Sequence, residues 1–455
     1  MIARLARYID DRVRGGEYAK KGMSKVFPEH WSFLLGEIAL YSFVILIATG
    51  IFLALFFKAD WSDTTYQGSY APLHGVEVSK SYDSTISLIF DVPAGALIRQ
   101  IHHWAALVFL AAIVVHLLRI FFTGAFKRPR ELNWIIGVTL LVLAIVEGFA
   151  GYSLPDDLLS GVGIRIGYSI AQSIPVVGSW LAFLVFGGEF PADEFVSRLY
   201  IGHVFVVPLI MMGLIGIHLF LVVRQKHTQF PGPGRTNDNV VGERLWPTYT
   251  AKSVGLFFLI AGVLAGMGGL FQINPIWLYG PYHPDTVTTF AQPDWYMGWV
   301  EGALRLMPSF RVEAFGYEIP NVFFSGVLVP GVTFGLMYLY PFIEQRLTGA
   351  DRREHHLLDR PREHPWRTSL GVAILAYHAV LLAAGAQDIL AEMTGASINL
   401  IIRTLQVLVF VLPIVAWVVT FLLCNQLQQA DTYGARKAAL RRREEDEVEV
   451  GSGLG

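Results

Sequence analysis

Charge is scarce in this 455-residue chain: Asp, Glu, Lys and Arg make up 16% of it, against about 25% in an ordinary soluble domain. Cysteine is scarcer still. The single Cys424 excludes an internal disulfide framework and any iron–sulfur cluster held by this chain alone. A net charge of −2 leaves no electrostatic footprint for nucleic acid. Residues 1–30 lack the short basic region and apolar core of a cleavable leader, so none is expected. No short-period repeat runs through the chain. Apolar side chains are what the sequence has in abundance, with 53% hydrophobic residues and a mean hydropathy of +0.47. That balance reads as an all-α polytopic membrane protein.

A membrane helix needs about 20 mostly apolar residues. Eight runs qualify, at about 31–57, 96–122, 133–153, 199–223, 253–273, 321–341, 368–386 and 400–424. Lys and Arg alternate between the segments that join them. The N-terminus carries Arg4, Arg7, Arg12, Arg14, Lys20, Lys21 and Lys25, whereas the first loop has only Lys58 and Lys80. The C-terminal tail is basic again at ARKAALRRR. By the positive-inside rule both termini face the cytoplasm. Three loops on the opposite side are long, at about 59–95, 154–198 and 274–320, and long ordered loops usually carry function. Within the second, GVGIRIGYSIAQSIPVVGSWLAFLVFGG predicts amphipathic helices lying at the interface. The chain divides into a cytoplasmic N-terminal segment (1–30), a four-helix part (31–225), a cytoplasmic connection (226–252), a C-terminal helical part (253–425) and a solvated charged tail (426–455).

Histidines stand inside two of these greasy runs. The second span holds His102, His103 and His116, and the fourth holds His203 and His218. His102 and His116 are 14 residues apart; His203 and His218 are 15 apart. At about 100° per residue, 14 steps end roughly 40° short of four turns and 15 end about 60° past. Each pair lies near one face, its members about 21–22 Å apart along the axis. The second and fourth spans cross in the same direction, so His102 is level with His203, and His116 with His218. Two stacked bis-imidazole sites result. Two axial imidazoles suit a low-spin haem iron inside a four-helix bundle. Zinc fits less well, since each level offers two ligands and no cysteine or carboxylate. A lone intramembrane histidine is as often a hydrogen-bonded helix contact; four at matched depth favour ligation. His103, about 100° off the stripe, is not expected to ligate.

The first and third spans repeat the 14-residue step in glycine, at Gly36 and Gly50 and at Gly137 and Gly151. Glycine lets a flat macrocycle approach a backbone closely, with small-residue helix packing as the alternative. Arg99, Arg119 and Arg198 lie three to five residues from the histidines. They suit haem propionates, or else snorkel at the interface.

These residues closely resemble cytochrome b of the cytochrome bc complexes, the quinol:cytochrome c oxidoreductases, over about residues 28 to 424. The likeness rests on the paired glycines, IRQIHHWAA with His116 following, RLYIGHVFVVPL with His218, GYSLPDD and QPDWYMGW. It implies two non-covalent b-type haems: a low-potential outer one held by His102 and His203, and a high-potential inner one held by His116 and His218. It implies an outer quinol-oxidising site, where Pro293, Asp294, Trp295 and Tyr296 match the family's Pro-Glu-Trp-Tyr motif with aspartate for glutamate. Tyr152 and Gly163 match the same pocket. A carboxylate at a wet boundary is a reasonable acceptor of quinol protons, which gives Asp294 and Tyr296 catalytic roles. Taken alone, PDWY reads as an interfacial turn with an aromatic belt.

The resemblance also implies an inner quinone-reducing site. Lys252 of LWPTYTAK matches a basic residue there, but the acid that usually follows is Ser253 and the expected histidine is Val223, leaving Arg224 and His227 as nearby substitutes. The implied mechanism is electron bifurcation coupled to proton translocation, with menaquinone as the quinone. Implied partners are a Rieske iron–sulfur protein, a c-type cytochrome, a second copy in a homodimer, membrane lipid and a terminal oxidase in a supercomplex, all at the bacterial plasma membrane. Leu34 occupies the position where the photosynthetic branch carries a haem-linking cysteine, so no extra covalent haem is expected. The 15-residue step and RPRELNW nonetheless look like that branch, and this hybrid resembles actinobacterial members. Two readings compete: a dihaem membrane anchor for a dehydrogenase, and a proton-coupled transporter whose histidines relay protons.

Overall fold

Backbone polar groups in lipid must be satisfied within the protein, which a run of about 20 apolar residues does by closing its bonds on itself as a helix. In the computed structural model, which describes residues 8–452 except 9, 13–14, 189, 191, 193, 287–291, 315 and 350–352, eight helices are long and apolar enough to cross a membrane. They are α1 (Trp31–Ala54), α2 (Gly95–Phe122), α3 (Glu131–Tyr152), α4 (Phe195–Arg224), α5 (Leu245–Leu270), α6 (Asn321–Thr348), α7 (Pro365–Gly385) and α8, whose apolar part is Ile398–Tyr433. Hydropathy places most of their ends within a few residues. Two ends differ. α5 begins eight residues before the expected 253, because Leu245–Tyr249 forms a π-type turn that runs into the apolar helix. The backbone of α8 stays helical to Ser452 through the stretch expected as a tail; residues 453–455 lie outside the described residues.

α1 packs along α2, and α3 along α4. Phe43, Phe109, Leu110, Leu117, Val138, Leu141 and Met211 fill the middle of this four-helix part. The N-terminal segment is tied to the connection before α5 by a short antiparallel pair, Val26–Phe27 with Glu243–Arg244. The long loops carry helices at Lys80–Phe90, Leu158–Gln172, Gly178–Phe186 and Trp295–Leu306; Leu158–Gln172 is amphipathic as expected, whereas Gly178–Phe186, GSWLAFLVF, is apolar nearly all round. The helix Trp295–Leu306 lies backbone to backbone on α7, where a Cβ at Gly302 would stand 1.7 Å from the Leu381 carbonyl oxygen and one at Gly385 2.3 Å from that of Gly298. Small residues permit such contact. The packing fixes the entry to that helix, where Asp294 sits. Two of the long loops are stitched together beside it: Leu158 donates its N–H to the Gly280 carbonyl at 3.0 Å, and Tyr282 donates to that of Asp156 at 3.0 Å.

Candidate functional site

The four histidines meet in two pairs across the α2–α4 gap. Ring centres of His102 and His203 are 6.3 Å apart at the level of the long loops, and those of His116 and His218 are 6.4 Å apart nearer the termini. α4 reaches this alignment with a π turn at Gly202–Val206 that contains His203. One extra residue in a turn absorbs about 100°, so the 15-residue step on α4 covers nearly the rotation of the 14-residue step on α2.

At the loop-side level both Nδ1 atoms are engaged. That of His102 lies 2.9 Å from the Thr49 hydroxyl. That of His203 lies 3.1 Å from the Glu147 carbonyl and 2.9 Å from its carboxylate. A hydrogen bond at one ring nitrogen orients the other for ligation. The glycine notches receive the edges of these rings. A Cβ at Gly50 would stand 3.3 Å from Cε1 of His102, at Gly36 3.2 Å from that of His116, at Gly151 2.5 Å from that of His203, and at Gly137 4.0 Å from that of His218.

A cavity of about 570 Å³ opens at this level, and its walls include His102, His203, Arg99, Tyr152, Asp294 and Tyr296. Asp294 makes two contacts there: Nε2 of His103 lies 2.9 Å from one carboxylate oxygen, and the Tyr296 hydroxyl donates to the other at 3.1 Å. His103 and Asp294 are mostly buried, at 11% and 16% side-chain exposure. Tyr296 lies against Gly148, where a Cβ would stand 2.5 Å from its hydroxyl oxygen, and Tyr152 lies against Gly163. Pro293 and Trp295 flank Asp294 without lining the cavity. Arg99 is buried and donates to the Asn274 carbonyl at 3.1 Å.

Arg198 departs from expectation. Its guanidinium donates to the carbonyls of Phe183 and Leu184, at 3.3 and 2.9 Å, closing the C-terminal end of the helix Gly178–Phe186. Four free carbonyls at a helix end draw a cation strongly, and the side chain is held there, outside the cavity lining.

Toward the termini, the Nδ1 atom of His116 and two nitrogens of Arg119 are buried without a protein partner, while His218 faces the backbone of Asn133. The Arg119 guanidinium lies 4.3 Å over the Phe33 ring. His227 packs on Phe33 and Phe27 at 4.6 and 5.9 Å between ring centres, with Nδ1 2.9 Å from the Thr228 carbonyl. Burial pushes its pKa down to about 4, and Arg119 and Arg130 push the same way. Lys252 pairs with Glu29 and with Glu243, the latter at 3.0 Å. Arg224 is exposed. Val223 accepts a hydrogen bond from Lys25 at its carbonyl. Ser253 donates to Glu37 at 2.6 Å, and Tyr249 donates to the other Glu37 oxygen.

A family model described as Cytochrome b(N-terminal)/b6/petB matches residues 107–281. A cytochrome bc1 complex cytochrome b subunit of Streptomyces coelicolor is 51% identical over 428 residues, 94% of this chain and 78% of that one. The chain belongs to the cytochrome b subunits of cytochrome bc1 complexes. A member from Mycobacterium tuberculosis is 50% identical over 432 residues, 95% of this chain and 78% of that one. In structure, a chain of a hyperthermophilic respiratory Complex III superposes with a TM-score of 0.66 at 22% identity, covering 91% of this chain and 98% of that chain, a likeness of fold. Membership makes this a haem-binding, membrane-embedded electron-transport protein, a subunit of a quinol:cytochrome c oxidoreductase.

The residues present fit b-type haem. A metal–imidazole bond of about 2.0 Å, with about 1.2 Å more from nitrogen to ring centre, puts two ring centres about 6.4 Å apart across one ion. Both pairs match that span. Among the described residues no group of three or more His, Cys, Asp or Glu is arranged to hold a metal; each level offers two imidazoles, a donor set that suits a bis-histidine haem iron. The buried, unpartnered nitrogens of Arg119 suit a haem carboxylate.

Periodicity gives no role to Glu147, Gly148, Thr49 or Glu37, and it places His103 off the ligand stripe. A signal existed for the two acids, because an isolated carboxylate within an apolar span marks function or a specific partner. His103 was set aside by its angle from the ligand stripe, and that same angle turns it toward Asp294.

Proposed function

We propose that this chain oxidises quinol in the loop-side cavity, on the outer face of the bacterial plasma membrane, and reduces quinone at the terminus-side end, facing the cytoplasm. The alternation of Lys and Arg supports that orientation. The observation that carries the reading is the shared wall: Asp294, Tyr296 and Tyr152 line the same cavity as His102 and His203. With a haem held between His102 and His203, the part of the cavity walled by Asp294, Tyr296 and Tyr152 would be left for a quinol, which gives up protons to those residues and electrons toward the imidazole pair. Bound between the imidazole pairs, two b-type haems, low-potential outside and high-potential inside, supply one-electron relay across the membrane.

The protein's own part is positioning and proton handling. Asp294 accepts a quinol proton, and its contacts to His103 and Tyr296 hold the carboxylate at the cavity wall. Aspartate is one methylene shorter than glutamate, and His103 meets it from α2. Tyr152 and Gly163 shape the pocket, with Pro293 and Trp295 fixing the turn that presents Asp294. Apolar lining excludes bulk water and strengthens the polar contacts that remain. At the other end Arg224, His227 and Lys252 surround the quinone-reducing site. Because a quinol yields two electrons and only one crosses the membrane, the other leaves to a Rieske iron–sulfur protein and then a c-type cytochrome. Protons are released outside and taken up inside. The quinone is menaquinone, and the complex is a homodimer joined in a supercomplex to a terminal oxidase. A dehydrogenase anchor needs no carboxylate in such a cavity, and a transporter needs no bis-imidazole spacing.

Asp294→Asn tests the outer site. The expected outcome is full haem content with quinol oxidation slowed about 10²-fold, the usual scale of a lost general base, and substantial recovery in Asp294→Glu. Turnover unchanged in Asp294→Asn would contradict the assigned role.

A further inference from the structure

Glu37 is the only charged side chain between Trp31 and Ala54. An acid in such a span is costly unless something there requires it. Its neighbours are hydroxyls. Tyr249 donates to one carboxylate oxygen, Ser253 donates to the other at 2.6 Å, and the Tyr41 and Ser253 hydroxyls bond to each other. Tyr249 and Ser253 stand one turn apart on α5, so one helix face cradles the carboxyl group from across the gap. A bound cation would hold the acid ionised. Hydroxyls rotate to donate to a carboxylate or to accept from a carboxylic acid, so this cradle tolerates both protonation states. The nearest lysine on that helix, Lys252, is paired with Glu29 and Glu243.

Placement supplies the second argument. Gly36, the preceding residue, faces His116, with a Cβ there 3.2 Å from Cε1. Glu37 therefore sits at the terminus-side imidazole level, one residue round the helix and turned toward α5. On its far side Tyr249 stacks on Phe27 at 4.8 Å, and the exposed Lys252–Glu29–Glu243 cluster follows at the surface. A carboxyl group with one side at a redox level and the other near water is arranged to carry protons between them.

We propose that Glu37 delivers the protons taken up in quinone reduction at the terminus-side site, held by Tyr249 and Ser253 and recharged from cytoplasmic water. The inference rests on the reading of that end as quinone-reducing. Quinone takes up two electrons, arriving singly from quinol oxidised on the loop side, and two protons, one on each carbonyl oxygen. As each quinol O–H bond forms, the Glu37 O–H bond breaks, and the carboxylate takes a proton from water before the next.

The test uses the purified complex carrying Glu37→Gln. Its haem spectrum and the single-turnover oxidation of quinol on the loop side should match wild type. Reoxidation of the b haems by quinone should slow about 10²-fold. The carboxyl band of the reduced-minus-oxidised infrared spectrum that shifts on carbon-13 glutamate labelling should vanish. Returning an acid from the facing helix, in Glu37→Gln with Ser253→Asp, should recover most of the lost rate, which a purely structural role would not permit. Wild-type reoxidation in Glu37→Gln, or persistence of the carboxyl band that carbon-13 glutamate labelling shifts in the wild type, overturns the proposal. Where Glu37→Gln fails to assemble, wild-type complex labelled with carbon-13 glutamate decides: no labelled band on quinone reduction overturns it. If the wild-type complex itself shows no quinone-dependent haem reoxidation on the terminus side, the underlying site reading fails instead.

Discussion

Gly151 shows how much one missing carbon decides at the residue scale. A methyl group there would fall 2.5 Å from Cε1 of His203, closer than any real contact allows, and the ring is pinned at Nδ1 by Glu147. Neither partner can give way, since Glu147 and Gly151 lie one turn apart on the same helix. Gly151→Ala should therefore displace His203 and remove the loop-side haem while sparing the pair at His116 and His218. The measurement is haem per protein with redox titration, expected to fall from two b-type components to the higher-potential one. Retention of both would show that the ring has room to move. Gly137 makes the looser contact, 4.0 Å from Cε1 of His218, and alanine there should be tolerated better. The same scale explains why His103 was illegible in sequence. Periodicity assigns a residue to a face, but a partner brought in from 191 positions away leaves no periodic trace.

At the scale of elements, the eight spans were legible because hydropathy alone dictates them, and the two histidine levels followed from the step lengths. The π turn in α4 was not legible: its only trace is a 15-residue step where α2 uses 14, and a step length cannot say where the extra residue is absorbed. Arg198 failed for a related reason. Proximity in sequence to His203 suggested a shared pocket, whereas the carbonyls that bind it belong to another helix, Gly178–Phe186. The interfacial helix Leu158–Gln172 offers a test of its own. Asp157 caps it, its carboxylate accepting from the Leu159 N–H at 3.2 Å. Burial raises the Asp157 pKa to about 6, against the opposing pull of Ser160 and Arg99. A folded pKa above the unfolded value of about 3.9 contributes stability that is fully present below that value and is lost as pH rises through about 6. Asparagine caps a helix about as well as aspartate and carries no charge. Asp157→Asn should therefore gain melting temperature relative to wild type as pH rises from 4 to 7. A difference that stays flat over that window would contradict the buried, protonated cap.

At the scale of the whole molecule, two halves contribute unequally to the loop-side cavity. The first four spans supply both imidazole pairs, and the helix Trp295–Leu306, seated on α7, brings Asp294 and Tyr296 to the wall beside one of them. Family likeness pointed to PDWY, and the structure supplies the physical link, a glycine-mediated contact between that helix and α7. The terminus-side end was least legible because its polar residues come from the N-terminal strand, α1, the connection and α5 together, and only the fold assembles them. Everything proposed for both ends depends on two redox centres stacked between α2 and α4. The direct measurement is a potentiometric titration of the purified chain, with haem counted against protein. Two b-type haems per chain with two separate midpoint potentials are expected, one of which is lost in His102→Ala and the other in His116→Ala. One haem per chain, or a single potential that survives either substitution, would contradict that expectation.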